Sequence, residues 1–287
     1  MADNRRMQCM EIWGGNEPAR RTVATAGLDV WVSSDPYDGA ASGGDLHFVS
    51  SCASGRITRF ILADVSGHGE AIAGAAREVR DLMRQHINHV DQTRFVSTLN
   101  RRFADVGAGD LFATAVVATY FLTSRTMSIC SAGHPLPLIH RRSEGTWSMI
   151  PHPARGSTDL ANIPLGVLPS IPYHETNLKI APGDALLCYT DAISEARDAD
   201  GRMLGVPGLL DMLEGLDPDD DAFLDRLGAA VADYRGGRPD DDESLLLVRG
   251  NATGTRWADT LLAPLRLAGE GFARKRRGAN DSGSENA

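Results

Sequence analysis

A chain of 287 residues, 42% hydrophobic and 23% charged, has the composition of a globular protein rather than a disordered or fibrous one, with room for one large domain or two small ones. Its net charge of -9 at pH 7 argues against nucleic acid as a partner, because phosphate backbones are bound through basic surface. No apolar run approaches the ~18 residues of a membrane span, and the N-terminal MADNRRMQCMEIWGG lacks the apolar stretch of a signal peptide, so a cytoplasmic location is expected.

Residues 1–21 show no periodicity and are expected to form a flexible arm ahead of a folded domain over residues 22–250. Leu28 to Val32, Leu46 to Cys52 and Ile57 to Ala63 are short β-branched or large apolar runs between glycines and serines, which predicts strands. After His68 the period lengthens. Ile72, Ala75, Ala76, Val79, Leu82, Met83 and Ile87 recur at helical spacing, and a second helix is expected from Asp91, its cap, to Val106. Strands follow at Leu111 to Leu122, Met127 to Ser131, Pro137 to His140, Trp147 to Ile150, Tyr173 to Ile180 and Ala185 to Tyr189. Their short connections permit antiparallel neighbours, whereas parallel ones need long crossovers. Helices at Leu209 to Leu216 and Ala222 to Tyr234 and a last strand at Ser244 to Val248 complete an α+β pattern. Residues 251–287 are rich in Gly, Ala, Ser and charge and read as a largely disordered tail, with a short amphipathic helix over Trp257 to Leu267. The four cysteines, Cys9, Cys52, Cys130 and Cys188, are widely spaced and form no CxxC, so neither a disulfide framework nor a zinc site is indicated.

The chemistry lies at the strand ends. FILADVSGHG is an apolar strand that ends in Asp64 and turns at once through Gly67, His68 and Gly69. Alone, such an aspartate reads more readily as a turn or helix cap than as a metal ligand. The arrangement recurs, however: ALLCYTD ends in Asp191, GGD starts a strand with Asp45, and DDDES brings Asp240, Asp241 and Asp242 to the mouth of the final strand. Carboxylates gathered in one place repel one another, and a pair of cations relieves that repulsion. Magnesium and manganese prefer hard oxygen ligands held on a fixed backbone.

In order along the chain stand GGD (Gly43 to Asp45), DVSGHG (Asp64 to Gly69), FATA (Phe112 to Ala115), AGHP (Ala132 to Pro135), PLG (Pro164 to Gly166), PGD (Pro182 to Asp184), TD (Thr190, Asp191) and DDES (Asp241 to Ser244). Over roughly Leu28 to Arg249 the chain thereby resembles the type 2C metal-dependent protein phosphatases, the PPM family, and within it the bacterial SpoIIE-like branch. The resemblance implies a four-layer αββα sandwich of two antiparallel sheets flanked by helix pairs, with two divalent cations, Mn²⁺ or Mg²⁺, at one edge. Asp64 would bridge both ions, the main-chain carbonyl of Val65 would join one shell, Asp191 and Asp241 would hold the second ion, and Asp45 would act mostly through water. Asp242 competes with Asp241 for its role. His68 either donates a proton to the leaving oxygen or is a turn histidine bonded to backbone, and His134 is expected to be structural or to support a ligand. Three departures stand out: Ala192 follows Asp191 where the family often has glycine, Leu46 follows GGD in place of an aromatic, and residues 38–44, DGAASGG, lack the phosphate-binding arginine of the eukaryotic members.

The activity implied is hydrolysis of phosphoserine or phosphothreonine by a metal-activated water, with a phosphorylated STAS-type anti-sigma factor antagonist as the substrate usual for this branch. A homodimer is compatible with the sequence. Two rival readings are a non-catalytic interaction module with the same fold and a small-molecule phosphohydrolase. Retention of the aspartates disfavours the first.

Overall fold

The structure is a computed structural model that describes residues 4–7, 11–52, 55–66, 70–86, 91–106, 112–153 and 161–254. From the N-terminus its elements are β1 (Asn4–Arg6), β2 (Glu11–Gly15), β3 (Ala19–Ala24), β4 (Leu28–Asp35), β5 (Asp45–Cys52), β6 (Ile57–Val65), α1 (Glu70–Gln85) and α2 (Gln92–Val106). A 3-10 turn at Tyr37–Gly39 lies between β4 and β5. Then come β7 (Ala113–Phe121), β8 (Thr126–Ala132), β9 (Leu138–Arg141), β10 (Thr146–Met149), β11 (Thr176–Lys179) and β12 (Ala185–Tyr189). The order closes with α3 (Asp191–Ser194), α4 (Gly205–Glu214), α5 (Phe223–Arg235) and β13 (Glu243–Gly250).

The strands form a six-stranded sheet in the order β11-β8-β7-β6-β5-β2 and a seven-stranded sheet in the order β1-β3-β4-β13-β12-β9-β10. Among the described strands only the short β1 pairs in parallel, with β3. The expected α+β sandwich of two antiparallel sheets is what the chain forms.

Alternation along each central strand builds three apolar layers, because successive side chains leave a strand on opposite faces. On β6, Phe60 and Leu62 enter the layer between the sheets, whereas Ile61, Ala63 and Val65 face α1 and α2. On β12, Leu186 and Cys188 face the other sheet, whereas Leu187 and Tyr189 pack against α4 and α5. A strand covered on both faces reads as a continuous apolar run, as β12 does. The helices supply the outer layers through stripes such as Phe95, Leu99 and Phe103 on α2 and Phe223, Leu227 and Val231 on α5. Each such Leu or Phe, fully buried, contributes roughly 1.5–3 kcal/mol. Asp91 caps α2 as expected, its Oδ1 accepting the Arg94 N–H at 2.9 Å.

The N-terminal segment differs from expectation. The supposed arm over residues 1–21 supplies β1, β2 and the start of β3, with β2 pairing along β5 and β3 along β4. These outer strands are held by main-chain ladders and carry few apolar side chains, so the alternation that betrays an inner strand is weak in them. At the other end, residues 251–254 are tied back rather than free. The Asn251 N–H donates to the Gly27 carbonyl at 2.9 Å, and the Gly27 N–H donates to Thr253 Oγ1 at 3.2 Å. The expected tail helix and disorder beyond lie outside the described residues.

Candidate metal centre

The alternation that builds the inter-sheet core also aims the site. Asp45 continues the face of Val49 on β5, Asp64 that of Phe60 and Leu62 on β6, and Thr114 that of Val116 and Ala118 on β7. From the other sheet, Thr190, Ser244 and Ser34 continue the inward rows of Cys188, Leu246 and Val32. At this edge of the sandwich the last rung of the core is polar. Asp45 stands directly opposite Asp64, and Asp64 opposite Thr114. Asp191 opens α3 one residue beyond Thr190, and Asp241 lies just before β13.

Like charges placed directly opposite on neighbouring strands repel. Burial pushes the Asp64 carboxyl up to about 6, and the nearby Asp191, Asp241 and Asp242 push it the same way. Asp45, only 3% exposed, is also raised well above the usual carboxylate range. Burial is the main cause; hydroxyls of Ser244 and Thr190 oppose it, and Asp64 and Asp242 add to it. The fold therefore concentrates negative charge where water is scarce. Added cations would offset that charge.

Asp241 and Asp242 have different duties. Asp242 accepts three main-chain N–H groups: from Tyr37 at 2.6 Å, from Asp45 at 3.3 Å, and from Gly44 in a short contact. It is the strap that holds the β4–β5 loop. Asp241 is exposed, and its Oδ1 accepts the Asp242 N–H at 2.8 Å. The glycines of GGD are explained by the same strap. A Cβ on Gly43 would lie 2.5–2.7 Å from the Asp242 carboxylate atoms. A Cβ on Gly44 would meet the Val65 carbonyl oxygen at 3.0 Å, Asp242 Oδ2 at 3.3 Å and Asp64 Oδ1 at 3.7 Å. Three oxygens thus face one small cradle that stays open only because no side chain fills it.

The remaining motifs are supports. Ser66 and Phe112 exchange hydrogen bonds, Ser66 N–H to the Phe112 carbonyl at 2.9 Å and Phe112 N–H to Ser66 Oγ at 3.1 Å, which ties the loop after Asp64 to the start of β7. Ala113 and Leu165 bond through both main-chain groups, docking PLG on β7, and a Cβ on Gly133 would strike the Pro164 ring at 2.4 Å. His134 is buried, with Nδ1 2.8 Å from Thr114 Oγ1, and burial pushes its pKa down to about 3. Asp184 of PGD belongs to the opposite end of β12, where it accepts from Arg141 at 2.8 Å and from the Ala181 and Arg142 N–H groups. Ala192 sits in α3 and is not among the residues with positive φ, so its Cβ brings no backbone strain. His68, with Gly67 and Gly69, lies outside the described residues. Sequence reasoning did not single out Thr190, Ser244 and Ser34 for the site, although their place in the inward rows is a signal that strand alternation carries.

Among the described residues no three His, Cys, Asp or Glu side chains stand close enough to enclose an ion by themselves. Any ion here would depend on main-chain oxygens such as that of Val65 and on water, which Mg²⁺ commonly retains. The all-oxygen donor set, the open cradle at Gly44 and the uncompensated charge around Asp64 fit a hard divalent cation.

The family described as Stage II sporulation protein E (SpoIIE) matches residues 54–251. Among solved structures, the RsbU and RsbW domains of Rv1364c from Mycobacterium tuberculosis are 23% identical with a TM-score of 0.63, covering 83% of this chain and 64% of that one. The PP2C phosphatase domain and regulatory-domain fragment of SpoIIE from Bacillus subtilis are 16% identical with a TM-score of 0.63, covering 85% and 64%. RsbX in complex with magnesium is 17% identical with a TM-score of 0.59, covering 81% of this chain and 100% of that one. The chain thus spans somewhat less than two thirds of the first two of these, and the likeness in each case is one of fold. With the family match extending over most of its length, the chain belongs to the SpoIIE family, and its fold is that of the PP2C phosphatase domain.

Proposed function

We propose that this chain hydrolyses phosphoserine and phosphothreonine in a protein, and that its substrate is a phosphorylated STAS-type anti-sigma factor antagonist in a bacterial regulatory pathway. The observation that carries the reading is the polar last rung, where Asp45 and Asp64 from one sheet and the segments bearing Asp191 and Asp241 from the other meet beside the Val65 carbonyl. Asp64, the Val65 carbonyl, Asp191 and Asp241 would hold the cations, with Asp45 acting through water. Asp241 is favoured over Asp242 because the Asp242 carboxylate is already occupied by three main-chain donors. When bound, two divalent cations supply charge neutralisation for the phosphoryl oxygens and lower the pKa of a coordinated water. The chain's own work is to fix the carboxylates before substrate arrives, since phosphoryl transfer asks mainly for positioning and electrostatic stabilisation. His68 as proton donor to the leaving oxygen remains part of the proposal.

Magnesium is named with the RsbX structure, which favours Mg²⁺ or Mn²⁺ here. Among the described residues no helix is long and apolar enough to cross a membrane, and a cytoplasmic location, with or without a homodimer, is part of the proposal. The test is hydrolysis of a generic phosphate ester and of a phosphoserine STAS protein with and without Mn²⁺ or Mg²⁺. Both activities are expected to disappear with chelator, and the phosphoserine protein to be hydrolysed far faster than a phosphotyrosine peptide. Full activity in metal-free buffer would overturn the mechanism. Activity confined to small metabolites would favour the phosphohydrolase reading.

A further inference from the structure

We propose that Thr190 is the positioning residue of the metal centre, its one hydroxyl fastening the aspartate-bearing segments of the two sheets to each other. Thr190 Oγ1 accepts the Ser244 N–H at 3.0 Å and donates to Asp45 Oδ2 at 3.0 Å. The Ser244 N–H only donates, so its bond uses a hydroxyl lone pair and leaves the hydroxyl proton, for which the Asp45 carboxylate at 3.0 Å is a nearer acceptor than the Ser244 carbonyl at 3.5 Å. The Thr190 N–H returns to the Ser244 carbonyl at 3.0 Å, so the end of β12 and the start of β13 are locked at this residue. Asp191 follows Thr190 directly, and Asp241 is three residues before Ser244. One buried hydroxyl, on a residue 1% exposed, thereby links the segments of Asp45, Asp191 and Asp241.

The link crosses between the sheets. Asp45 belongs to the six-stranded sheet and Ser244 to the seven-stranded one, with Thr190 one residue past the end of β12 in that same sheet. The Asp45 N–H is also held by Asp242 Oδ2 at 3.3 Å, so this aspartate is gripped from the opposite sheet at both its main chain and its side chain. With Oδ2 engaged by Thr190 and the Ser244 hydroxyl also bonded to it, the carboxylate is fixed in rotation. A group that fixes a ligand's orientation characteristically governs affinity by about 10–100-fold. The inference rests on the reading of this edge as a divalent-cation centre.

The test compares Thr190→Val, which keeps the shape and removes the hydroxyl, with Thr190→Ser, which keeps the hydroxyl, in the full-length protein. Mn²⁺ binding is read by calorimetry and folding by urea titration of the metal-free chain. Thr190→Val is expected to weaken Mn²⁺ binding by about 10–100-fold, and Thr190→Ser to bind within about threefold of wild type. A general packing role would lower stability but would not couple specifically to Asp45. In an Asp45→Asn background, Thr190→Val is therefore expected to change Mn²⁺ affinity by less than about twofold. Wild-type affinity in a folded Thr190→Val variant, losses that simply add in the double variant, or a serine variant as weak as the valine one would each overturn the inference. Should wild type bind no Mn²⁺, the metal-centre reading falls with it; should wild type bind and Thr190→Val bind equally, only this inference falls.

Discussion

Asp64→Asn is expected to lower turnover by on the order of 10³-fold or more while making the metal-free chain more stable. Both effects have one origin. Asp64 lies opposite Asp45 and feels Asp191, Asp241 and Asp242, so its charge is one the fold tolerates poorly and the proposed ions need. Its folded pKa of about 6 lies above the ordinary aspartate value of 3.8, so ionisation at neutral pH disfavours the folded state. The sign is therefore that stability is gained as pH falls from about 6 towards 4 and lost above that window. Asparagine keeps the shape without the charge. Relief of that penalty is worth up to about 3 kcal/mol at pH 7, a rise of several degrees in melting temperature. Calorimetric melts and steady-state rates on the two proteins decide the matter. Wild-type turnover in Asp64→Asn would refute the site, and a lowered melting temperature in metal-free buffer would refute the account of the repulsion.

Acid is expected to destabilise the chain through two histidines before it reaches most carboxylates. Burial lowers the pKa of His47 from 6.5 to about 4 and that of His134 to about 3. A histidine depressed in the folded state takes up its proton only on unfolding, so its contribution is complete above pH 6.5 and is lost as pH falls towards the folded value. Between pH 7 and pH 5 each is expected to remove about 2 kcal/mol. Asp64 acts oppositely in part of that window, so the net loss is smaller than the sum. His47 is the cleaner probe, because it packs against Trp13, with ring centroids 5.3 Å apart, and its Nδ1 has no partner among the described residues. His47→Leu should reduce the difference in unfolding free energy between pH 7 and pH 5 by about 2 kcal/mol. Urea titrations of the metal-free chain at the two pH values measure it; an unchanged difference would show that this histidine is not held neutral.

How much of this was legible in the sequence depends on where a residue sits. The inner strands β5, β6, β12 and β13 announce themselves because both faces are covered, so their apolar runs are continuous. The outer strands β1, β2 and β3 do not, since main-chain pairing leaves no side-chain period to read. The aspartates were legible as strand ends, and the ordered motifs pointed to a family. What the sequence did not separate was Asp241 from Asp242, because their difference lies in partners far along the chain: Tyr37, Gly44 and Asp45. Nor did it reveal that the two glycines before Asp45 make room for a carboxylate nearly 200 residues away in sequence.

The shared direction of the carboxylates and the inter-sheet core has a consequence for how the chain tolerates changes in length. A residue inserted into β6 between Leu62 and Asp64 would throw Asp64 out of phase, turning it towards α1 and α2 and bringing its apolar neighbour to the charged edge. The same insertion would break the packing of one side of the sheet against its neighbours. Length variants that preserve the core therefore preserve the aim of the aspartates. Those that spoil the aim spoil the core with it, which confines tolerated insertions to the loops around the edge and leaves the strands phase-locked.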